Sequence, residues 1–399
     1  MTDTNPKKIE EILTRGVEEA IVREELKKKL LSGKKIRLYL GIDPTGGDLH
    51  LGHVVVLWKL RDFQDLGHEV ILLIGDFTAR IGDPSGKDVA RKPLSEKEVK
   101  ENFKNYKKQA SKILDFTKVK IKYNSTWLSK LKFADILKLA TNFTVQQMIQ
   151  RDMFQRRLND NLPISLQEFM YPLMQGYDSV AMDVDLEVGG NDQTFNMLVG
   201  RTLQKIYNGK DKDVLTCKLL LGTDGRKMSK TFGNFVAIAD EPDNMYGKIM
   251  SIKDELIDHY FELATRLSQE EISQIKNSSD NPRDIKAKLA KEIVKMYHGE
   301  KNAEIAEEEF NKVFRNKELP SDMPVFETGK NNYAVLDLLC DSKLVASKNE
   351  AKRLVEQNAV EVINGEVKTK IIDWKTIVDL ENGMIIKVGG RRFAKIVLK

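Results

Sequence analysis

The chain has five histidines among its 399 residues, and two of them, His50 and His53, stand three apart behind the glycine-rich stretch "GIDPTGGDLHLGH" (41–53). Side chains at that spacing share one face of a helix. A helix beginning near Leu49 would put both imidazoles in its first turns, where unpaired N–H groups and the positive end of the dipole favour a polyphosphate. Two helix-surface histidines would look the same in isolation. Zinc is disfavoured, because no cysteine or third histidine lies nearby at ligand spacing. A second candidate is "GRKMSKT" (225–231), which carries Lys227 and Lys230 after a Gly-Thr-Asp-Gly turn. Two long cations among small or flexible residues can close over a polyphosphate as negative charge develops. On its own, K-x-x-K is also an ordinary solvated pair. A third set, Tyr171, Gln175 and Asp178, is spaced i, i+4, i+7 and falls on one helical face. Taken singly, its members read equally as packing or surface residues.

The elements that must position these residues follow from periodicity. "IRLYLGID" is a short apolar run entering a turn, "HLGHVVVLWKLRDFQDLG" is a helix closed by Gly67, and "HEVILLIGDFT" is a second buried strand. That is a βαβ unit of crossover length, so a parallel α/β sheet is expected. "AMDVDLEVGGNDQTFNMLVGRTLQKI" repeats the strand, glycine-rich turn and helix. Before the sheet, apolar residues Ile9, Ile12, Leu13, Val17, Ala20 and Ile21 recur at helical spacing, which suggests two amphipathic helices between Asn5 and Ser32. Residues 240–314 read almost wholly as helix, with Ile285, Leu289, Ile293 and Met296 as one periodic set. "RNKELPSDMPVFETGKNN" has two prolines and no periodicity, and reads as a linker. The last part begins with two short helices and ends in strands, with Asn364-Gly365 marking a hairpin. The expected division is a Rossmann-type α/β catalytic domain at 1–235, a helical domain at 236–318, a linker at 319–332 and a small α+β module at 333–399.

Composition narrows the class. Hydrophobic residues make up 41% and charged residues 31%, as in globular proteins rather than disordered or membrane ones. No apolar run approaches the roughly 20 residues that span a bilayer, and the start of the chain lacks a secretory h-region, so a cytoplasmic location is expected. Cys217 and Cys340 lie far apart without metal-ligand spacing and read as reduced core thiols. The net charge of +5 permits a nucleic-acid partner without demanding one. Residues 341–399 alone carry twelve Lys and Arg against eight Asp and Glu, a net of +4.

Together, "HLGH" and "KMSKT" resemble the paired HIGH and KMSKS signatures of class I aminoacyl-tRNA synthetases, departing from them at Leu51 and Thr231. "GDPSGK" (82–87), "YPLMQGYD" (171–178) and "GGNDQ" (189–193) resemble the substrate-binding signatures of bacterial-type tyrosyl-tRNA synthetases, and the likeness runs from about residue 30 to the end. The resemblance implies activation of L-tyrosine by ATP, with Mg²⁺ on the pyrophosphate, followed by transfer to tRNA(Tyr). It implies catalytic roles for His50, His53, Lys227 and Lys230. Asp83, Tyr171 and Gln175 would hold the substrate ammonium, Tyr39 and Asp178 its phenolic hydroxyl, and Gln193 would sit between amino acid and nucleotide. Gly41, Asp43, Gly52, Gly190, Asp192, Met228, Ser229 and Thr231 would join the ATP site, where family members with a hydroxyl-bearing residue near the ribose contrast with Val56 here.

A carboxylate and a phenol aimed at one hydroxyl would both be left unpaired by phenylalanine, so such a pocket rejects it without editing. The C-terminal module resembles an S4 RNA-binding domain, which implies that Lys343, Lys348, Lys352 and Arg353 meet an RNA backbone. Members of the family act as homodimers, and "ATNFTVQQMIQRDMF" (140–154) is the candidate interface helix, although Phe143, Met148 and Phe154 suit a core equally well. Three alternatives stand beside this reading: a tryptophan-specific relative, a synthetase-derived RNA-binding factor, and a small-molecule nucleotidyltransferase with an H-x-G-H site.

Overall fold

Near-continuous apolar runs are the mark of strands covered on both faces, and two of them, β2 (Arg37–Ile42) and β3 (Glu69–Ile74), pair in parallel at the centre of a six-stranded sheet. The computed structural model describes residues 2–46, 48–85, 94–230, 232–278, 281–314, 323–365, 367–390 and 392–399. The sheet is completed by β1 (Val17–Ile21), β4 (Lys120–Tyr123), β5 (Leu186–Gly190) and β6 (Asp213–Cys217), in the order β1-β6-β5-β2-β3-β4. All neighbours run parallel except β1, which is antiparallel to β6. From β2 the chain proceeds to β3 and β4 on one side, then returns to β5 and β6 on the other. A reversal of this kind leaves a crevice beyond the carboxyl ends of the two central strands. Here β2 and β5 pair through only Leu38↔Leu186 and Tyr39↔Glu187 before they part.

The N-terminal segment departs from its helical periodicity. Helices Pro6–Thr14 and Arg23–Leu31 form, but Val17, Ala20 and Ile21 lie in β1. Gly16 sits at φ +62°, a left-handed conformation that ends the first helix. The residues after it then pair with the free edge of β6, because sheet pairing outweighs local helical preference where an edge is open. The expected βαβ unit is present, its crossover the helix Leu51–Asp65.

Two further helices, Leu166–Met182 and Thr194–Asn208, pack together beside β5 and bury Leu173, Val199 and Leu203 between them. Met148 and Phe154 of the candidate interface segment are buried and Phe143 packs against that same cluster, so these three are core. Helices Ile257–Ala264 and Gln269–Asn277 follow. Both cysteines are free, and burial pushes the Cys217 thiol up to about 12.

The chain divides into two compact units, 1–241 with 248–297 and 242–247 with 298–399. That division does not coincide with the boundaries expected from the sequence, since most of the helical stretch after 236 groups with the large sheet. In the second unit, β7 (Val325–Thr328), β9 (Val360–Asn364), β10 (Val367–Ile371), β12 (Ile385–Val388) and β13 (Arg392–Leu398) form a sheet of order β10-β9-β12-β13-β7, and β8 (Asn332–Ala334) pairs with β11 (Ile377–Asp379). β9 and β10 are the hairpin announced by Asn364-Gly365. Helices Val335–Asp341 and Lys348–Glu356 cover one core, built on Leu338, Leu339, Val355, Val360 and Ile386. Among the described residues no helix is long and apolar enough to cross a membrane.

Candidate active site

The parting of β2 and β5 opens into a cleft of about 1020 Å³. Its walls are the ends of those strands, the first turns of the Leu51–Asp65 helix, one face of the Leu166–Met182 helix, and residues 218–220, 227–230 and 232. Tyr171, Gln175 and Asp178 all line it, as their spacing on one helical face requires.

The inner end is a set of polar groups held by one another. Asp43 accepts from Tyr171 Oη at 2.8 Å and from Thr78 Oγ1 at 2.7 Å. Asp178 is buried and accepts from Trp127 Nε1 at 2.7 Å and from Asn124 Nδ2 at 3.3 Å. Burial pushes its carboxyl well up, against the lowering effect of those two donors. Gln175 Nε2 donates to Glu187 at 3.1 Å, and Gln193 Nε2 donates to Asp83 at 2.8 Å. Tyr171 is likewise pushed well up, first by burial and then by Asp43, so it stays a neutral phenol.

Tyr39 lies deeper than the other candidates of the amino-acid end. It is fully buried, packs among Ile71, Leu73, Met182 and Val184, and stands 2.9 Å from Ser179 Oγ through its hydroxyl. It does not line the cleft. Its register partner on β5 is Glu187, which does line the cleft.

The outer end is built differently. His50 precedes the Leu51–Asp65 helix and donates its backbone N–H to His53 Nδ1 at 3.3 Å, with the ring centroids 3.8 Å apart. Desolvation, then the neighbouring ring and lysines, lower His50 to about 3. Desolvation followed by Lys230 lowers His53 to about 4. Both imidazoles are therefore neutral at pH 7 and act as hydrogen-bonding groups rather than charges. Lys227 and Lys230 are about half exposed and reach Asp192 at 2.8 Å and Asp48 at 3.4 Å.

Backbone pairing joins this loop to the histidine turn: Leu51 N–H donates to Val236 O at 2.9 Å and Ile238 N–H to Leu49 O at 3.0 Å. Asn234 holds the lysine loop from beneath. Its Oδ1 accepts from Ser229 N–H at 2.9 Å, and its Nδ2 donates to Asp224 at 2.7 Å and to Lys227 O at 3.1 Å.

Asp83 and Gln193 line the cleft, as do Gly41, Asp43, Gly52, Gly190, Asp192, Met228 and Ser229, and so does Val56. Thr231 lies outside the described residues, as do Gly86 and Lys87 of "GDPSGK". The sequence did not point to Thr78, Trp127, Asn124, Glu187 or Asn234. Their only signal was a polar or amphipathic type in a position that proves buried or half-buried, and such positions are found only once the chain is folded.

In the second unit, Lys343 and Arg353 are exposed, Lys348 pairs with Asp337 at 2.5 Å, and Lys352 lies 4.6 Å from the centre of the Trp374 ring. These basic groups gather at the two short helices, beside an aromatic plane.

Comparison with known proteins places the chain in a family. Residues 31–315 match the family described as class I tRNA synthetases (W and Y), and residues 316–392 match the C-terminal domain of tyrosine–tRNA ligases. The chain thus belongs to the class I tRNA synthetases and, within them, to the tyrosine–tRNA ligase family. It is 48% identical over 396 residues to the tyrosine–tRNA ligase of Thermotoga maritima, with 98% of each chain covered. The ligase of Carboxydothermus hydrogenoformans is 49% identical, with 98% of this chain and 97% of that one covered. Among solved structures, the tyrosyl-tRNA synthetase of Archaeoglobus fulgidus complexed with L-tyrosine matches with a TM-score of 0.61 at 25% identity, covering 76% of this chain and 100% of that one.

Proposed function

We propose that the cleft activates L-tyrosine with ATP and then delivers the tyrosyl group to the 3′ end of tRNA(Tyr). A tyrosine carboxylate oxygen attacks the α-phosphorus of ATP while the bond to the bridging oxygen breaks, giving tyrosyl-adenylate and pyrophosphate. A hydroxyl of the terminal adenosine then attacks the tyrosyl carbonyl and AMP leaves. No protein nucleophile is used; the chain supplies position and charge.

The observation that carries this reading is the set of acceptors at the inner end. A substrate ammonium has three N–H donors. Tyr171 gives its proton to Asp43 and Gln175 gives an amide proton to Glu187. The Tyr171 oxygen, the Gln175 carbonyl and the Asp83 carboxylate therefore remain as three acceptors. Asp178, steadied by Trp127 and Asn124, takes the phenolic hydroxyl at the far wall together with Tyr39, whose own hydroxyl also meets Ser179.

At the outer end, neutral His50 and His53 donate to phosphate oxygens, and Lys227 and Lys230 leave their carboxylate partners to follow the charge that develops on the pyrophosphate. Gly41, Gly52 and Gly190 give the nucleotide close access to backbone, with Asp192 and Gln193 between it and the amino acid. Mg²⁺ would screen the phosphate charge as part of the ATP complex.

The C-terminal unit serves as an S4-type grip on tRNA through Lys343, Lys348, Lys352 and Arg353, and the 236–318 region approaches the anticodon. The protein works in the cytoplasm as a homodimer. Supporting the dimer, Phe133 and Leu166 are each 75% exposed and Val145 is 64% exposed, an apolar set within one stretch of the chain.

Amino-acid-dependent exchange of labelled pyrophosphate into ATP, with tyrosine, phenylalanine and tryptophan compared and no tRNA present, tests the whole reading. Exchange with tyrosine alone is expected. Exchange with tryptophan would reassign the pocket, and exchange with none would leave an RNA-binding protein built on a synthetase fold.

A further inference from the structure

Behind the amino-acid end of the cleft lies an ion pair that none of the steps above uses. Lys212, immediately before β6, is fully buried, and Glu187 on β5 is nearly so. The Lys212 ammonium donates to Glu187 Oε2 and, at 2.9 Å, to Ser179 Oγ. Ser179 in turn meets the Tyr39 hydroxyl. Glu187 has its other oxygen, Oε1, on Gln175 Nε2 and is itself part of the cleft wall.

The backbone makes room for this cluster. A Cβ at Gly200 would stand 2.5 Å from Lys212 Nζ and 2.8 Å from Ser179 Oγ, so the Thr194–Asn208 helix approaches closely only because that position has no side chain. Burying two charges is expensive, and an unpaired one more so. A pair that holds an amide from behind has a use beyond stability. A glutamine amide carries a donor on one side and an acceptor on the other, and either can face a ligand. A carboxylate accepts only.

We propose that the Lys212–Glu187 pair is a positioning element of the tyrosine site, which orients the Gln175 amide so that its carbonyl oxygen faces the substrate ammonium. Glu187 Oε1 can be met only by the amide's N–H side, and Lys212 holds that carboxylate in place by occupying its other oxygen. Ser179, which also meets the Tyr39 hydroxyl, completes the setting. The inference rests on the cleft's being the tyrosine site.

The test is a set of three variants, Lys212→Met, Glu187→Gln and the double variant, assayed by pyrophosphate exchange with KM for tyrosine and for ATP measured separately, together with Tm. Each single variant leaves a buried group unpaired and is expected to lose stability. The double variant removes both charges and is expected to regain Tm. Its KM for tyrosine should nevertheless stay raised by about tenfold or more, the size of one hydrogen bond to a charged group, because an amide at 187 accepts either orientation of Gln175. KM for ATP should move by less than about twofold.

A purely structural pair would predict the opposite: recovery of tyrosine KM together with Tm, or parallel losses for tyrosine and ATP. Either result overturns the inference. If a single variant does not fold, the double variant decides alone. Failure of the wild-type protein to show tyrosine-dependent exchange would overturn the assignment of the cleft. Wild-type exchange with an unchanged tyrosine KM in the double variant would overturn only the role of the pair.

Discussion

The two ends of the cleft are made of similar residue types under opposite conditions. At the inner end, Asp43, Asp178 and Glu187 each have at least two hydrogen-bond partners, and the groups around them are buried or half-buried. At the outer end, Lys227 and Lys230 are about half exposed, and each reaches one partially exposed carboxylate. Exposed pairs of that kind contribute little to stability and separate easily. The inner end is therefore suited to selecting a ground-state ligand, because its geometry is fixed before the substrate arrives. The outer end can rearrange as charge moves, which suits a transition state. The difference teaches that one cleft can divide recognition from rate by how firmly each end is held.

The largest effect expected of that division is at Lys230. Replacing Lys230 by Ala removes a cation from the developing pyrophosphate and should slow adenylate formation by about 10²- to 10³-fold, the range for losing one transition-state donor. Tyrosine affinity, measured by equilibrium binding, should remain within about twofold. Equal losses in rate and affinity would break the comparison, because the lysine would then be part of ground-state binding.

Asp178→Asn is the converse change. It keeps the shape of the wall but sets an NH₂ group where Asn124 or Trp127 now donates. The preference for tyrosine over phenylalanine in pyrophosphate exchange should fall by about ten- to a hundredfold, as the phenolic hydroxyl loses a buried acceptor. The ATP dependence should not change. A shift in ATP KM as large as the shift for tyrosine would mean that the two ends are mechanically one.

The histidines sharpen the comparison through pH. In an unfolded chain each takes a proton near 6.5, whereas here His50 and His53 do so only at about 3 and about 4. The folded state thus binds fewer protons than the unfolded one across that window. Stability from this source is complete above pH 6.5 and is lost as pH falls through the window. The double change His50→Gln, His53→Gln should give a shallower fall in Tm between pH 6.5 and pH 4. The wild-type rate of adenylate formation should show no titration of these two rings between pH 6 and 8. A rate that declines as pH rises past 6.5 would require an imidazolium and sink the assignment of neutral donors.

How much of this was legible in the sequence depends on whether a residue's role is local or cooperative. The β2, Leu51–Asp65, β3 unit was readable because its hydrophobic pattern is long and unbroken. The shared face of Tyr171, Gln175 and Asp178 was readable because helical spacing alone fixes it. β1 was misread as helix because its partner, β6, lies nearly two hundred residues away, and no local window reports an open sheet edge. Asn234 and the Lys212–Glu187 pair were invisible because an isolated polar residue is usually a surface residue, and only burial gives it a different meaning.

The smallest expected effect concerns Val56, which lines the cleft beside the histidine turn where a hydroxyl-bearing residue could meet the ribose. A threonine there is nearly isosteric, so Val56→Thr adds one hydroxyl without displacing the wall. A neutral hydrogen bond has a net strength of about 0.5–1.5 kcal/mol, because the hydroxyl and the ribose both give up water to form it. KM for ATP should therefore fall by no more than about tenfold, with tyrosine KM and tyrosine–phenylalanine preference unchanged. The outer end has room for such a gain because its parts are not already committed to one another. The same conservative addition at the inner end, where each group is held by its neighbours, would be expected to cost affinity instead. If Val56→Thr altered tyrosine selection, the two ends would share a constraint that their separate hydrogen-bond sets do not contain.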